Sequence, residues 1–142
     1  MENNNSEKSP SIAWVTGAGK GIGKEITIQL INQGWLVAAS SRSNDDLQKL
    51  LELCPPKTLF TYPLDITDLE KTSATIEKIE GTLGKISLAI LNAGTYQPIS
   101  IEHFSVNTFR LLVETNLMGT VNCLAQIIPC FIERKHGQII II

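Results

Sequence analysis

The sequence lacks any strong imbalance of charge: 12 Lys and Arg stand against 14 Asp and Glu, a formal net charge of −2 at pH 7. That leaves no basic stripe or acidic tail to recruit nucleic acid or anionic lipid by field alone. Cysteine is scarce as well. Cys54, Cys123 and Cys130 form an odd set without CxxC spacing, which argues against a disulfide framework and a thiolate metal site, and no metal is expected. Nothing basic adjoins them to lower a thiol pKa, so reduced, structural cysteines are expected. No apolar run reaches the ~18 residues of a membrane span, and residues 1–10 are polar, without the apolar core of a secretory leader. A cytosolic protein with a flexible N-terminus over 1–10 and one domain over 11–142 is the expectation.

What is present is alternation. Nearly continuous apolar runs of strand length occur at Ile12 to Val15, Trp35 to Ala39, Thr58 to Tyr62, Leu88 to Leu91 and Ile139 to Ile142. Continuous rather than alternating runs suit strands covered on both faces. Helical patterns lie between them. The first carries Ile22, Ile26 and Leu30 on one stripe and ends near Gln33-Gly34. Ser43 with Asp46 is a capping-type start for a helix through Leu47, Leu50 and Leu51, stopped by Pro55-Pro56. A third runs from about Asp68 to Leu83 on Leu69, Ile76, Ile79 and Leu83, and Gly84 closes it. A last, long one carries Phe109, Val113, Leu117, Val121, Leu124, Ile128 and Phe131 and stops near His136-Gly137. Repeated strand-helix units imply right-handed crossovers and a parallel sheet with helices on both faces.

Between the first strand and first helix stands Thr16-Gly17-Ala18-Gly19-Lys20-Gly21-Ile22-Gly23. Such a loop lets backbone N–H groups approach a pyrophosphate, with the helix N-terminus adding partial positive charge. A Walker loop is excluded, because Gly23-Lys24 is followed by Glu25 rather than Ser or Thr. The Gly-x-Gly-x-x-Gly fingerprint also fails, since Gly17 and Gly19 would need glycine where Ile22 stands.

The spacing that fits is Thr-Gly-x-x-x-Gly-x-Gly, and it resembles the cofactor loop of short-chain dehydrogenases/reductases. Three further segments follow in that family's order. Asp65-Ile66 after the third strand resembles the position of a carboxylate set against the adenine amino group. Asn92-Ala93-Gly94 resembles Asn-Asn-Ala-Gly beside the adenosine ribose, with Leu91 in place of the first asparagine. Asn116, in Asn116-Leu117-Met118-Gly119, resembles the asparagine of the catalytic tetrad, which bends its helix and holds a water of the proton relay. Periodicity alone sets Asn116 within the stripe Phe109, Val113, Thr120, Leu124, Ile127, Phe131, so its amide is expected to be buried and hydrogen-bonded; a core amide tied to backbone is the plainer alternative.

The resemblance implies a Rossmann-type, doubly wound three-layer αβα fold, here ending after its fifth strand and incomplete relative to the family. It also implies cofactor contacts from Thr16, Gly17, Gly19, Lys20, Gly21, Ile22, Gly23, Ser41, Arg42, Asp65, Ile66, Asn92, Ala93 and Gly94. Members preferring NAD carry an acid at the end of the second strand; Ser40-Ser41-Arg42-Ser43 stands here instead. Arg42 offers a donor fork to a 2′-phosphate, and Lys20 resembles the second basic residue of NADP-preferring members, so NADP(H) is favoured over NAD(H).

The family's chemistry, carbonyl reduction or alcohol oxidation by hydride transfer, uses a serine and a Tyr-x-x-x-Lys pair. Tyr62 is followed four residues on by Ile66, and Tyr96 by Ser100. Asn116 is then the only tetrad member present, and the chain by itself is expected to be nearly inactive. His103 and His136 lie outside the matched motifs. A non-catalytic NADP(H)-binding or oligomerisation module is the alternative, and another Rossmann-type binder, such as a methyltransferase, a third. The long last helix often packs against its counterpart in the family, leaving homo-oligomers open.

Overall fold

The computed structural model describes residues 10–142, so residues 1–9 of the expected flexible N-terminus lie outside the described residues. Five strands form one parallel sheet in the order β3-β2-β1-β4-β5: β1 (Ile12–Thr16), β2 (Leu36–Ser41), β3 (Leu59–Pro63), β4 (Ile86–Leu91) and β5 (Gln138–Ile141). Each parallel step needs a crossover, and helices supply them. They are α1 (Gly21–Asn32), α2 (Asn44–Leu53), α3 (Leu69–Thr82), α4 (Val106–Val113) and α5 (Gly119–Glu133).

β1 lies at the centre, paired with β2 on one side and β4 on the other, and every one of its residues is buried. Neighbours along a strand face opposite layers. Ala13 and Val15 join Leu30, Leu47, Leu50 and Ile90 under α1 and α2; Ile12 and Trp14 join Ile79, Cys123, Ile127 and Phe131 under α3 and α5. The Trp14 indole donates to Ser40 Oγ at 3.0 Å, so its polar end is paired where it is buried. Two cores on one sheet make the three-layer αβα architecture.

The caps follow the sequence. Ser43 Oγ accepts from the Asp46 N–H at 3.2 Å, and Asp68 Oδ1 from the Lys71 N–H at 3.0 Å. At the far end of the sheet, Glu80 accepts from Arg134 Nη2 at 2.6 Å, Lys85 Nζ at 2.9 Å and the Ile86 N–H at 3.2 Å. Arg134 also donates to the Ile86 carbonyl at 3.1 Å and lies 5.1 Å from the centre of the Phe131 ring. This cluster ties the ends of α3 and α5 to the start of β4.

Several expectations are corrected. The buried stripe of α1 is Gly23, Thr27, Leu30 and Ile31, while Ile22 is 62% exposed. On α3, Thr72, Ile76 and Ile79 face inward and Leu69 is exposed. The last helix is interrupted by a π-helical turn over Glu114–Met118, and its inner stripe is Thr115, Gly119, Cys123, Ile127 and Phe131. Phe109, Val113, Leu117, Val121 and Ile128, apolar positions of the expected helical pattern, are exposed. Although no uninterrupted apolar run reaches the ~18 residues of a membrane span, the helical stretch Val106–Glu133 is long and apolar enough to cross a membrane by length and composition alone.

Candidate cofactor site

The carboxyl ends of β1 to β4 open on a crevice of about 430 Å³. The chain runs from β1 to β2 and β3 on one side and returns to β4 on the other, so the crevice lies at a topological switch point, where open α/β sheets bind ligands. Its walls come from four strand ends and their loops: Gly17 and Lys20 after β1, Ser40 to Ser43 at the end of β2, Leu64 to Ile66 after β3, and Asn92 to Tyr96 after β4. Asp46 and Thr115 complete it.

Among the residues singled out from sequence, Gly17, Lys20, Ser41, Arg42, Asp65, Ile66, Asn92, Ala93 and Gly94 line this crevice. Thr16, Gly19, Gly21, Ile22 and Gly23 are not among its lining residues, and Gly21 and Ile22 border a separate groove on the outer flank of α1. The loop's shape explains part of this division. Gly17 has φ +65°, and a Cβ there would come 2.8 Å from Ala93 Cα. A Cβ on Gly23 would fall on the Gly17 carbonyl. These two glycines let the loop close on itself and on the β4 loop.

Thr16 and Asn92 then lock the two loops together. Thr16 Oγ1 accepts from the N–H groups of Asn92 and Ala93, each at 3.1 Å. The Asn92 amide donates to the carbonyls of Thr16 and Gly17, each at 3.2 Å. Both side chains face this junction, Thr16 supporting the wall from behind and Asn92 also lining the crevice. Asp65 Oδ1 accepts from Thr67 N–H at 3.0 Å and Thr67 Oγ1 at 2.8 Å, a turn built on the aspartate's own loop.

Asn116 sits in the π-helical turn and is exposed rather than buried, correcting the expectation from the apolar stripe. Both ends of its amide are nonetheless engaged: Oδ1 accepts from Thr95 N–H at 2.7 Å and Nδ2 donates to the Thr95 carbonyl at 2.9 Å. Its own carbonyl accepts from Thr120 Oγ1 at 3.1 Å. The preceding residue, Thr115, is 4% exposed, and its hydroxyl finds no partner among the described residues.

The electrostatics are mixed at one end. Lys20 and Arg42 are exposed cations on the crevice, and Asp46 shares that wall. In the sequence Asp46 reads only as a capping-type residue of α2, and its place at the crevice comes from tertiary packing: Gly19 sits against it, close enough that a Cβ would lie 2.8 Å from Asp46 Cβ. At the amino end of α1, Lys20 makes no side-chain cap and no acid occupies the first turn. The free N–H groups there favour an anion.

Other candidates lie elsewhere. Tyr62 is buried and its hydroxyl pairs with Thr82 Oγ1 at 3.0 Å, whereas Tyr96 is 84% exposed at the crevice mouth. Burial pushes the Cys123 thiol up to about 12 and also raises that of Cys54, so neither is poised as a nucleophile at neutral pH. His103 is exposed beside Ser100 Oγ, and His136 is exposed near the end of α5.

A doubly wound parallel sheet with a glycine turn and an uncapped helix end at its switch point defines a Rossmann-type fold. A family model for short chain dehydrogenases matches residues 11–142, and the chain belongs to that family. It is 31% identical over 140 residues to mouse "Dehydrogenase/reductase SDR family member 7", covering 94% of this chain and 41% of that protein. Among solved structures, serine dehydrogenase from Escherichia coli superposes with a TM-score of 0.83 at 31% identity, covering 92% of this chain and 60% of that one. A short-chain dehydrogenase structure from Novosphingobium aromaticivorans gives 0.81 at 30% identity, covering 87% and 47%. The chain thus spans about half the length of the relatives it matches.

Proposed function

We propose that this chain forms the cofactor-binding half of a short-chain dehydrogenase/reductase that uses NADP(H) in preference to NAD(H), acting on a small carbonyl or alcohol when complete. One observation carries the reading: Lys20, at the uncapped start of α1, and Arg42, after β2, both line the crevice. The glycine cradle fits such a group, because side chains at Gly17 or Gly23 would fill or distort it. Free N–H groups at the start of α1 hold a diphosphate, Lys20 and Arg42 take a 2′-phosphate, Asp65 and Ile66 flank the base, and Asn92 to Gly94 flank the ribose. Bound nicotinamide cofactor supplies hydride transfer. Asn116, pinned to Thr95, holds its backbone at the rim as the tetrad member.

Neither tyrosine has a lysine four residues on. General acid catalysis is worth typically 10²–10⁴-fold, so turnover by these 142 residues alone is expected to be negligible. Cytosolic location is supported by three free thiols. Calorimetric titration with NADPH and NADH tests the cofactor. NADPH should bind more tightly, and Ser41→Asp with Arg42→Ala should move preference toward NADH. Equal relative affinities before and after the change would refute the assignment, and no saturable binding of either would refute the function. Asp46, on the same wall, should oppose the 2′-phosphate, so Asp46→Asn is expected to tighten NADPH.

A second reading, a non-catalytic binding and oligomerisation module, is favoured by the outer face of α4 and α5. Val106, Phe109, Leu117 and Ile132 there are 54–70% exposed. That face is suited to a second copy of the chain. Sedimentation of the wild type against Leu117→Asp/Val121→Asp checks it, with loss of dimer expected.

A further inference from the structure

The loop after β3 has an anchor that no motif announces. Asn122 lies on α5, six residues beyond Asn116, and its Nδ2 donates to two successive carbonyls, of Ile66 at 2.9 Å and Thr67 at 3.2 Å. Those carbonyls sit just past the end of β3, where the strand ladder no longer satisfies them, and an amide with two N–H groups suits the pair. One helical turn earlier, Gly119 is buried against Ile66, and a Cβ there would come 2.6 Å from Ile66 Cδ1. The helix therefore both approaches and grips this loop.

We infer that Asn122 is a positioning residue for the adenine end of a bound dinucleotide, acting through the loop 64–67. The inference rests on the cofactor assignment proposed above. The chain of contacts is short. Asn122 fixes the Thr67 carbonyl; the Thr67 N–H and hydroxyl fix Asp65 Oδ1; and Asp65 and Ile66 line the crevice. The other end of the loop is tied to β2, where the Leu64 N–H donates to the Ser41 carbonyl at 3.0 Å. With one end held by the sheet, the Asn122 amide sets the remaining freedom of the Asp65 carboxylate. Asn116 does the same for the neighbouring loop at Thr95. Seven residues of one helical segment thus brace two adjoining walls of the crevice.

The test compares wild type, Asn122→Leu and Asn122→Asp, each alone and with Asp65→Ala. Leucine keeps the volume but donates nothing, and aspartate sets a carboxylate against two carbonyls. Probes are NADPH and adenosine 2′,5′-bisphosphate, by calorimetry, with hydrogen exchange at the Thr67 amide. Either Asn122 variant should weaken both probes about fivefold, the equivalent of one hydrogen bond between Asp65 and the ligand, and speed exchange at Thr67. In the Asp65→Ala background the further loss should vanish, because the effect passes through Asp65. Unchanged affinity, a loss that persists fully without the Asp65 carboxylate, or unfolding of both variants overturns the inference. If the wild type binds neither probe, the cofactor assignment itself falls; if it binds both and the Asn122 variants bind equally well, only the role of Asn122 falls.

Discussion

Thr16 accepts two hydrogen bonds from Asn92, 76 residues away in sequence: its hydroxyl oxygen from the Asn92 N–H at 3.1 Å, and its carbonyl from the Asn92 side-chain amide at 3.2 Å. This doubly bonded pair joins the ends of β1 and β4 beside the crevice. Asn92→Leu leaves the carbonyls of Thr16 and Gly17 without their donor, in a half-buried setting. It should cost about 1–3 kcal/mol of stability and weaken dinucleotide binding by about tenfold or more. Urea denaturation and calorimetry on the same variant check both.

The loop glycines should separate sharply on substitution. At Gly23 an added Cβ meets the Gly17 carbonyl and the Asn92 amide, so Gly23→Ala should abolish dinucleotide binding and lower the melting temperature. At Gly21 nothing lies within 4 Å, but φ is +56°. Gly21→Ala should therefore cost only about 1 kcal/mol from backbone strain, with Gly21→Asn better tolerated. Thermal melts of the three variants give the ordering.

The Glu80 cluster should make stability depend on pH. Burial pushes the Glu80 carboxyl up, but hydrogen bonds from Arg134, Lys85 and the Ile86 N–H outweigh it and hold the group below its ordinary range. A depressed carboxylate stabilises the fold above its unfolded value, ~4.3, and that contribution disappears as pH falls through the folded value. Glu80→Gln should be destabilised by about 2 kcal/mol at pH 7 and should approach the wild type below about pH 4. Urea midpoints across that range measure the convergence.

Thr115 carries a buried hydroxyl with no partner among the described residues. Thr115→Val, which keeps the shape and removes the polar atom, should raise stability by about 1 kcal/mol. The melting temperature then rises by a few degrees. Thr115→Ser should not raise it.

The fold was legible in the sequence because its main signals are unambiguous. Five apolar runs became five strands, and Ser43 capped the helix that Asp46 marked. The inner faces of helices were less legible. On α1 and α3 the buried centres include Thr27 and Thr72, each fully buried and each donating its hydroxyl at 2.8 Å to the carbonyl one turn back, of Gly23 and Asp68. A hydroxyl satisfied within its own helix buries like an apolar group, so a search for hydrophobic spacing passes over it. On α5 the opposite error occurred. Small residues, Gly119 and Cys123, face inward and bring the helix close, while larger apolar groups stand outside. Size, not hydropathy, chose the face.

In the candidate site, the strand-end loops were readable from glycine spacing and from the short motifs after β3 and β4. The division of labour inside them was not. Thr16 and Asn92 spend polar atoms on each other's loops, 76 residues apart, while Asp65 spends an oxygen on Thr67 of its own turn. Asp46 and Thr115 reached the crevice only through the packing of α2 and the π-helical turn.

Two asparagine side chains, Asn92 and Asn122, each clasp a pair of consecutive carbonyls in the rims around the crevice. Rims fastened in this way leave few loop conformations open, so a dinucleotide bound there as proposed would have little loop motion to quench. Association should then be fast and nearly rigid-body, with affinity changes among variants expressed in how quickly the nucleotide leaves.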